Sequence, residues 1–204
     1  MKIILKIKGV LVLFFALSLT GCVLPKYSVE NLNEVAADEI LFIGRVSMNP
    51  PITKEEIQIE NVINLSDVEM HKVLVMKASD VYYELGGQHA TDYQDTVAAI
   101  DGEYYYFTWN KNKPLNFLGV TFITRMTSRN REYMTFTIDK GIKVNHSGKS
   151  KAVYVGDITF VRDEFFNIKD IDINQKNYKK AVKEFRKKYK TDWKVEKAKL
   201  TSSK

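Results

Sequence analysis

Cysteine is almost absent: the 204-residue chain has one, Cys22. A lone thiol excludes an intrachain disulfide and any cysteine-rich metal site. Histidine is nearly as scarce, with only His71, His89 and His146. They show no HxxxH or HxH spacing, so a metal site would need the fold to gather them with carboxylates, and none is expected. Four prolines and ten glycines exclude Pro-rich and collagen-like fibres. Long apolar runs are missing as well. The run Gly9–Leu19 has 11 residues, about 16 Å as a helix against a hydrocarbon core of roughly 30 Å. No GxSxG nucleophile elbow occurs. Ser147-Gly-Lys-Ser150 ends like a phosphate-binding loop, but neither Ile142 nor Lys143 supplies the leading glycine and no helix follows. No cofactor and no catalytic set is expected.

What is present begins with a distinctive leader. Lys2, Lys6 and Lys8 precede the uncharged run, and Cys22 stands where that run ends. Basic start, short apolar core and small residues before a boundary are the pattern of a secretory signal peptide over residues 1–21. Leu19-Thr20-Gly21-Cys22 resembles the lipobox of bacterial lipoproteins. The resemblance implies cleavage between Gly21 and Cys22, a diacylglyceryl thioether on Cys22, and acylation of the new terminus. Two or three acyl chains hold a protein on a bilayer durably where one does not. Val23 rather than Asp follows the cysteine, which by the sorting rule of such lipoproteins implies the outer membrane. Residues 22–38 are expected to be the lipidated tether.

Charge is unevenly placed. The whole chain carries +6. Without residues 1–21 it has 28 Lys and Arg against 25 Asp and Glu, a net +3. Residues 176–204 hold 12 basic and 3 acidic residues, while residues 22–175 hold 16 and 22. The body is thus acidic, the end is strongly basic, and no nucleic-acid partner is expected.

From Ile40 onward apolar residues recur mostly with period two, the signature of half-buried strands. Strands are expected at 40–48, 56–62, 71–77, 103–109, 117–126, 132–138, 152–161 and 165–173. Shorter ones are read at 96–100 and 141–145. Pro50 and Pro51 interrupt the first two, because proline lacks the N–H a ladder needs. Turns near 127–131 and 162–164 read as hairpins. Then the period changes. Tyr178, Ala181, Val182, Phe185 and Tyr189 form one apolar stripe of a helix over 175–190, capped by Asn174 or Asn177. Lys179, Lys180, Lys183, Arg186, Lys187 and Lys190 form the opposite face. Trp193 to Val195 would add a last strand or pack on the body, and 198–204 is expected to be disordered. The fold is therefore expected to be mainly β, an antiparallel β-sandwich of about eight strands over 39–197, with one amphipathic helix on a sheet.

Tyr104-Tyr-Tyr-Phe-Thr-Trp109 is the most unusual segment. Alternation sends Tyr105, Phe107 and Trp109 to one face and Tyr104 and Tyr106 to the other. One reading is a central strand with the inter-sheet core on one side and the helix stripe on the other. The alternative is an exposed platform, Tyr104 and Tyr106, stacking on a glycan. Asp170 and Asp172 share a strand face, and Glu103, Asp157 and Asp163 are scattered, which reads as solvated surface. His89, Asp92 and Asp95, from one long irregular stretch, are the residues an envelope hydrolase would have to assemble. Phe42-Ile-Gly-Arg-Val46 and Tyr154-Val-Gly-Asp-Ile158 share a short pattern, too short for a duplication. A glycine within a strand marks a bulge or close packing.

Gly102-Glu-Tyr-Tyr-Tyr106 and Val153-Tyr-Val-Gly-Asp157 resemble segments of prealbumin-like and carboxypeptidase-regulatory-like sandwiches. The mature chain resembles small bacterial envelope lipoproteins with a β-sandwich and a C-terminal helix. That resemblance implies a fold and no known activity, so no active-site residues carry over. The lipobox-like segment and the lack of a catalytic set point to a non-enzymatic, membrane-anchored binding or assembly module, with the bilayer as one partner through Cys22 and an envelope protein or glycan as another.

Overall fold

The computed structural model describes residues 28–59, 70–82, 95–127 and 130–203. Two sheets pack face to face. The first holds β1 (Glu39–Asn49), β5 (Tyr104–Asn110), β8 (Ala152–Arg162), β9 (Ile168–Asn174) and β10 (Val195–Lys197). The second holds β2 (Gln58–Ile59), β3 (Val73–Ser79), β4 (Asp95–Ile100), β6 (Leu115–Met126), β7 (Arg131–Asn145) and β11 (Lys199–Ser202). The helix α1 spans Tyr178–Tyr189 and lies on the outer face of the first sheet.

Alternation decides what each face does. On β1, Phe42 and Val46 point into the sandwich, while Leu41 and Ile43 point out to α1. On β5, Tyr105, Phe107 and Trp109 enter the inter-sheet core and Tyr106 meets the helix. Rings bridge the two sheets: Phe107 meets Phe117 edge-on at 6.1 Å, and Phe136 lies 6.1 Å from Phe160. Such pairs add to the burial of apolar area, which is worth about 25 cal/mol per Å² and dominates a core of this kind.

The first sheet is mixed rather than wholly antiparallel. β1 runs parallel to β8 and antiparallel to β5. One edge of β8 is taken by β1. The other is shared by β10 along Ala152–Tyr154 and by β9 along Asp157–Arg162. α1 is the crossover from β9 to β10, and this is why it covers β8 and β1. Ala181 and Phe185 are fully buried against that face. Burying a phenylalanine side chain is worth about 1.5–3 kcal/mol. Arg186, Lys187 and Lys188 in the last turn suit the negative end of the helix dipole, and Lys190 closes the helix in the left-handed conformation, φ 49°.

Several expectations change. Asn177 occupies the N-cap position but makes no cap bond; its amide turns to Asp157 instead. The stretches read separately at 132–138 and 141–145 are one strand, β7, bent where Lys140 and Gly141 take positive φ. The end expected to be disordered supplies β11, paired with Ile142–Asn145 of β7. β5 is not central: it flanks β1 only, and Ser28 and Val29 dock on its outer edge. The segment expected to be tether up to residue 38 is therefore part of the body from Ser28 on. Val29 is buried, and Asn31 and Glu34 close a capping box around the short helical turn Leu32–Glu34. Gly21, Cys22, His89 and Asp92 lie outside the described residues, as do residues 60–62 of the strand read at 56–62, of which Gln58–Ile59 is found as a strand. No helix among the described residues is long and apolar enough to cross a membrane.

Candidate functional site: a basic cleft beside the helix

The chemistry gathers where β5, β1 and α1 meet. Register sets Arg45 of β1 opposite Tyr104 of β5 on one side and Asp157 of β8 on the other. All three rise from the outer face. Arg45 Nη2 donates to Asp157 Oδ2 at 3.0 Å, and its guanidinium sits 5.8 Å from the Tyr104 ring centre. Asp157 is 2% exposed, and it accepts two more hydrogen bonds, from the Tyr154 hydroxyl and the Asn177 amide. A buried carboxylate with three donors, one of them a cation, is compensated. Asp157 is therefore a fastening between β8, β1 and the start of α1, not the solvated surface group read from the sequence.

Next to this fastening a cleft of about 550 Å³ opens between β5 and α1. Tyr104, Tyr106 and Gly102 form its sheet side, Lys180, Lys187 and Lys188 its helix side, and Arg45 one end; Glu103 and Glu184 are its acids. Lys180, Lys187 and Lys188 are exposed, and none is in an ion pair among the described residues. Lys188 hangs its ammonium 4.7 Å from the Tyr106 ring centre and 5.2 Å from that of Tyr189. The phenols are held neutral. Burial pushes Tyr106 up to about 12, helped by Glu184 and Tyr104. Burial, then the Asp157 charge, raises Tyr104. At neutral pH these hydroxyls are donors and not bases. The Tyr104 hydroxyl is buried and has no partner among the described residues.

The two tyrosines singled out by sequence thus meet at one cleft, but not as an open stacking platform. Tyr106 is 4% exposed, with Tyr189 edge-on at 5.3 Å and Phe185 at 6.3 Å. The helix stripe has taken the face a sugar would need. Arg45, Asp157 and Lys188 were not singled out as site residues. The one signal was the shared pattern at 42–46 and 154–158, which in the fold lines Gly44 up with Gly156 and Arg45 with Asp157.

The other candidates remain apart. Asp170 and Asp172 are exposed on β9. The backbone of Asp95 opens β4, away from His146, whose ring packs edge-on against Phe42 and whose Nδ1 accepts from the Gly148 amide. Ser147 donates through its amide and hydroxyl to Glu196 rather than to a histidine. Burial works to raise Glu196, and these two bonds hold it below its ordinary value. Among the described residues no group of three or more His, Cys, Asp and Glu could hold a metal ion. The arrangement at the cleft can gather negative charge on cations above aromatic rings. In comparisons with protein-family models, curated proteins and solved structures the chain has no significant match, so the site is read from its own residues.

Proposed function

We propose that this chain is a bacterial envelope lipoprotein, anchored through an acylated Cys22, whose sandwich is a non-enzymatic binding or assembly module working through the cleft beside α1. The observation that carries the binding reading is the cleft itself. Three exposed lysines with no ion-pair partner among the described residues line it beside Tyr104 and Tyr106, and Lys188 sits over the Tyr106 ring. That assembly attracts anions. The leader and the lipobox-like Leu19–Cys22 support the anchor. By the same resemblance the destination is the outer membrane, with an envelope protein or an acidic glycan as the second partner.

Cells grown on a labelled fatty acid test the anchor. Label should enter the wild-type chain and be lost from Cys22→Ala. Equal labelling of both would remove Cys22 as the acylation site, and no labelling of either would remove the lipoprotein reading.

A further inference from the structure

The cleft does more than accept a soluble anion: we propose that it and the exposed face of α1 dock on the anionic phospholipid headgroups of the membrane in which Cys22 is anchored. This rests on the lipid-anchor reading and adds an orientation to it.

Chain length makes the first argument. Ser28 is held at the outer edge of β5, its hydroxyl accepting from the Tyr106 amide, and Val29 donates its amide to the Tyr106 carbonyl. Cys22 lies six residues before Ser28. Six residues span at most about 21 Å when fully extended. An acylated Cys22 sits at the headgroup level, so Ser28, which is bound to the cleft residue Tyr106, cannot be farther than that from the lipid surface. α1, with 12 residues, is itself about 18 Å long. Ser28 and Val29, bound at Tyr106, therefore bring the chain to the side of the cleft, and an acylated Cys22 lies no more than about 21 Å along the chain from there.

Charge makes the second. The exposed cations on α1 are Lys179, Lys180, Lys183, Arg186, Lys187, Lys188 and Lys190. The acids facing them are fewer: Glu103 and Glu184 at the cleft, and Glu30 and Glu34 near Tyr189. Residues 176–204 carry a net +9 and residues 22–175 a net −6. An anionic surface attracts the first part and repels the second, so the tethered body turns α1 toward the lipid. The attraction acts within a Debye length, about 8 Å at physiological salt. A tether this short keeps that approach within reach.

The test uses the acylated wild-type protein reconstituted into vesicles of phosphatidylcholine alone or of phosphatidylcholine with phosphatidylglycerol. Exposed amines are labelled and each lysine is read by mass spectrometry, with Lys143, exposed on β7 of the other sheet, as the reference. The expected result is that Lys180, Lys187 and Lys188 label several-fold less than Lys143 in the anionic vesicles. High salt or neutral vesicles should abolish that protection. In K180Q/K187Q/K188Q, whose three positions are exposed, Lys183 should lose its protection while the far-ultraviolet circular dichroism stays that of the wild type. Protein that floats with both vesicles but labels identically in each overturns the docking and leaves the anchor standing. Protein that floats with neither overturns both.

Discussion

Tyr189, in the last turn of α1, donates its hydroxyl proton to the carbonyl of Val29. The bond ties the most basic part of the chain to the first described residues. Burial, and then the neighbouring Tyr106, Glu30 and Glu34, push this phenol well above its ordinary value, so it stays a donor across the physiological range. Tyr189→Phe leaves the ring and removes the bond. A loss of about 1 kcal/mol is expected, the usual net worth of such a hydrogen bond. Faster hydrogen exchange at the amides of Val29 and Tyr106 should accompany it. Unchanged exchange there would mean that the segment is not fastened through Tyr189.

The docking of α1 depends on one ring. Phe185 is fully buried among Leu41, Ile43, Tyr106 and Tyr154. Phe185→Ala should cost about 3–5 kcal/mol in denaturant unfolding. It should also open the Tyr106 face that the helix covers. A loss under about 1 kcal/mol would show that α1 does not pack as described.

Gly44 lies beneath the Tyr105 ring. A Cβ there would meet the Tyr105 hydroxyl, and Val155 Cγ2 at 2.8 Å. Gly156, the partner of Gly44, has φ 124°, and a Cβ there would meet the Asn174 carbonyl at 2.7 Å. Gly44→Ala and Gly156→Ala should each destabilise by about 2 kcal/mol or more. Tyr105→Phe should go the other way, to neutral or slightly stabilising, because the buried Tyr105 hydroxyl has no partner among the described residues. Thermal melts of the three variants check the pattern, and a stable Gly44→Ala would contradict the close approach.

Arg162 is 1% exposed and clamps the turn after β1, with Glu56 Oε1 at 2.7 Å, Glu56 Oε2 at 2.8 Å and the carbonyls of Pro50 and Pro51. Its hydrogen bonds hold the Glu56 carboxyl below its ordinary value, against burial. A depressed carboxyl stabilises the fold above its unfolded value and loses that contribution as pH falls through the folded one. Stability should therefore decline below about pH 4.5. Asp101 has the opposite sign. Burial raises it, against the bond from the Met48 amide, so its contribution weakens as pH rises through its folded value. Glu56→Gln should cost about 2 kcal/mol at neutral pH, by leaving a buried guanidinium short of its counter-charge. It should also flatten the acid limb. Unfolding measured from pH 3 to pH 7 would contradict this if the two proteins kept parallel curves.

The pairs of faces were legible because period two and period 3.6 each leave an apolar stripe. Tyr104–Trp109 already announced a core on one side and a helix on the other, and both are found. Edges were not legible. Nothing in a six-residue aromatic run says that Ser28 and Val29 will cover its flank, because backbone pairing leaves no trace in side-chain pattern. β11 was read as disorder for the same reason: Lys199-Leu-Thr-Ser202 is short and polar, and its partner Ile142–Val144 is more than fifty residues away. The Arg45–Asp157 pair was not legible. The shared Gly-Arg and Gly-Asp steps are too short to place two strands side by side, and a charge on a strand reads as solvated until the parallel register and the arrival of Asn177 bury it.

The account stands on the covalent state of Cys22. The intact mass of the protein isolated in detergent from its native cells tests it most directly. The account predicts a chain that begins at Cys22 and carries the added mass of a diacylglyceryl group and an amide-linked acyl chain. A chain beginning at Met1 with a free thiol would contradict it.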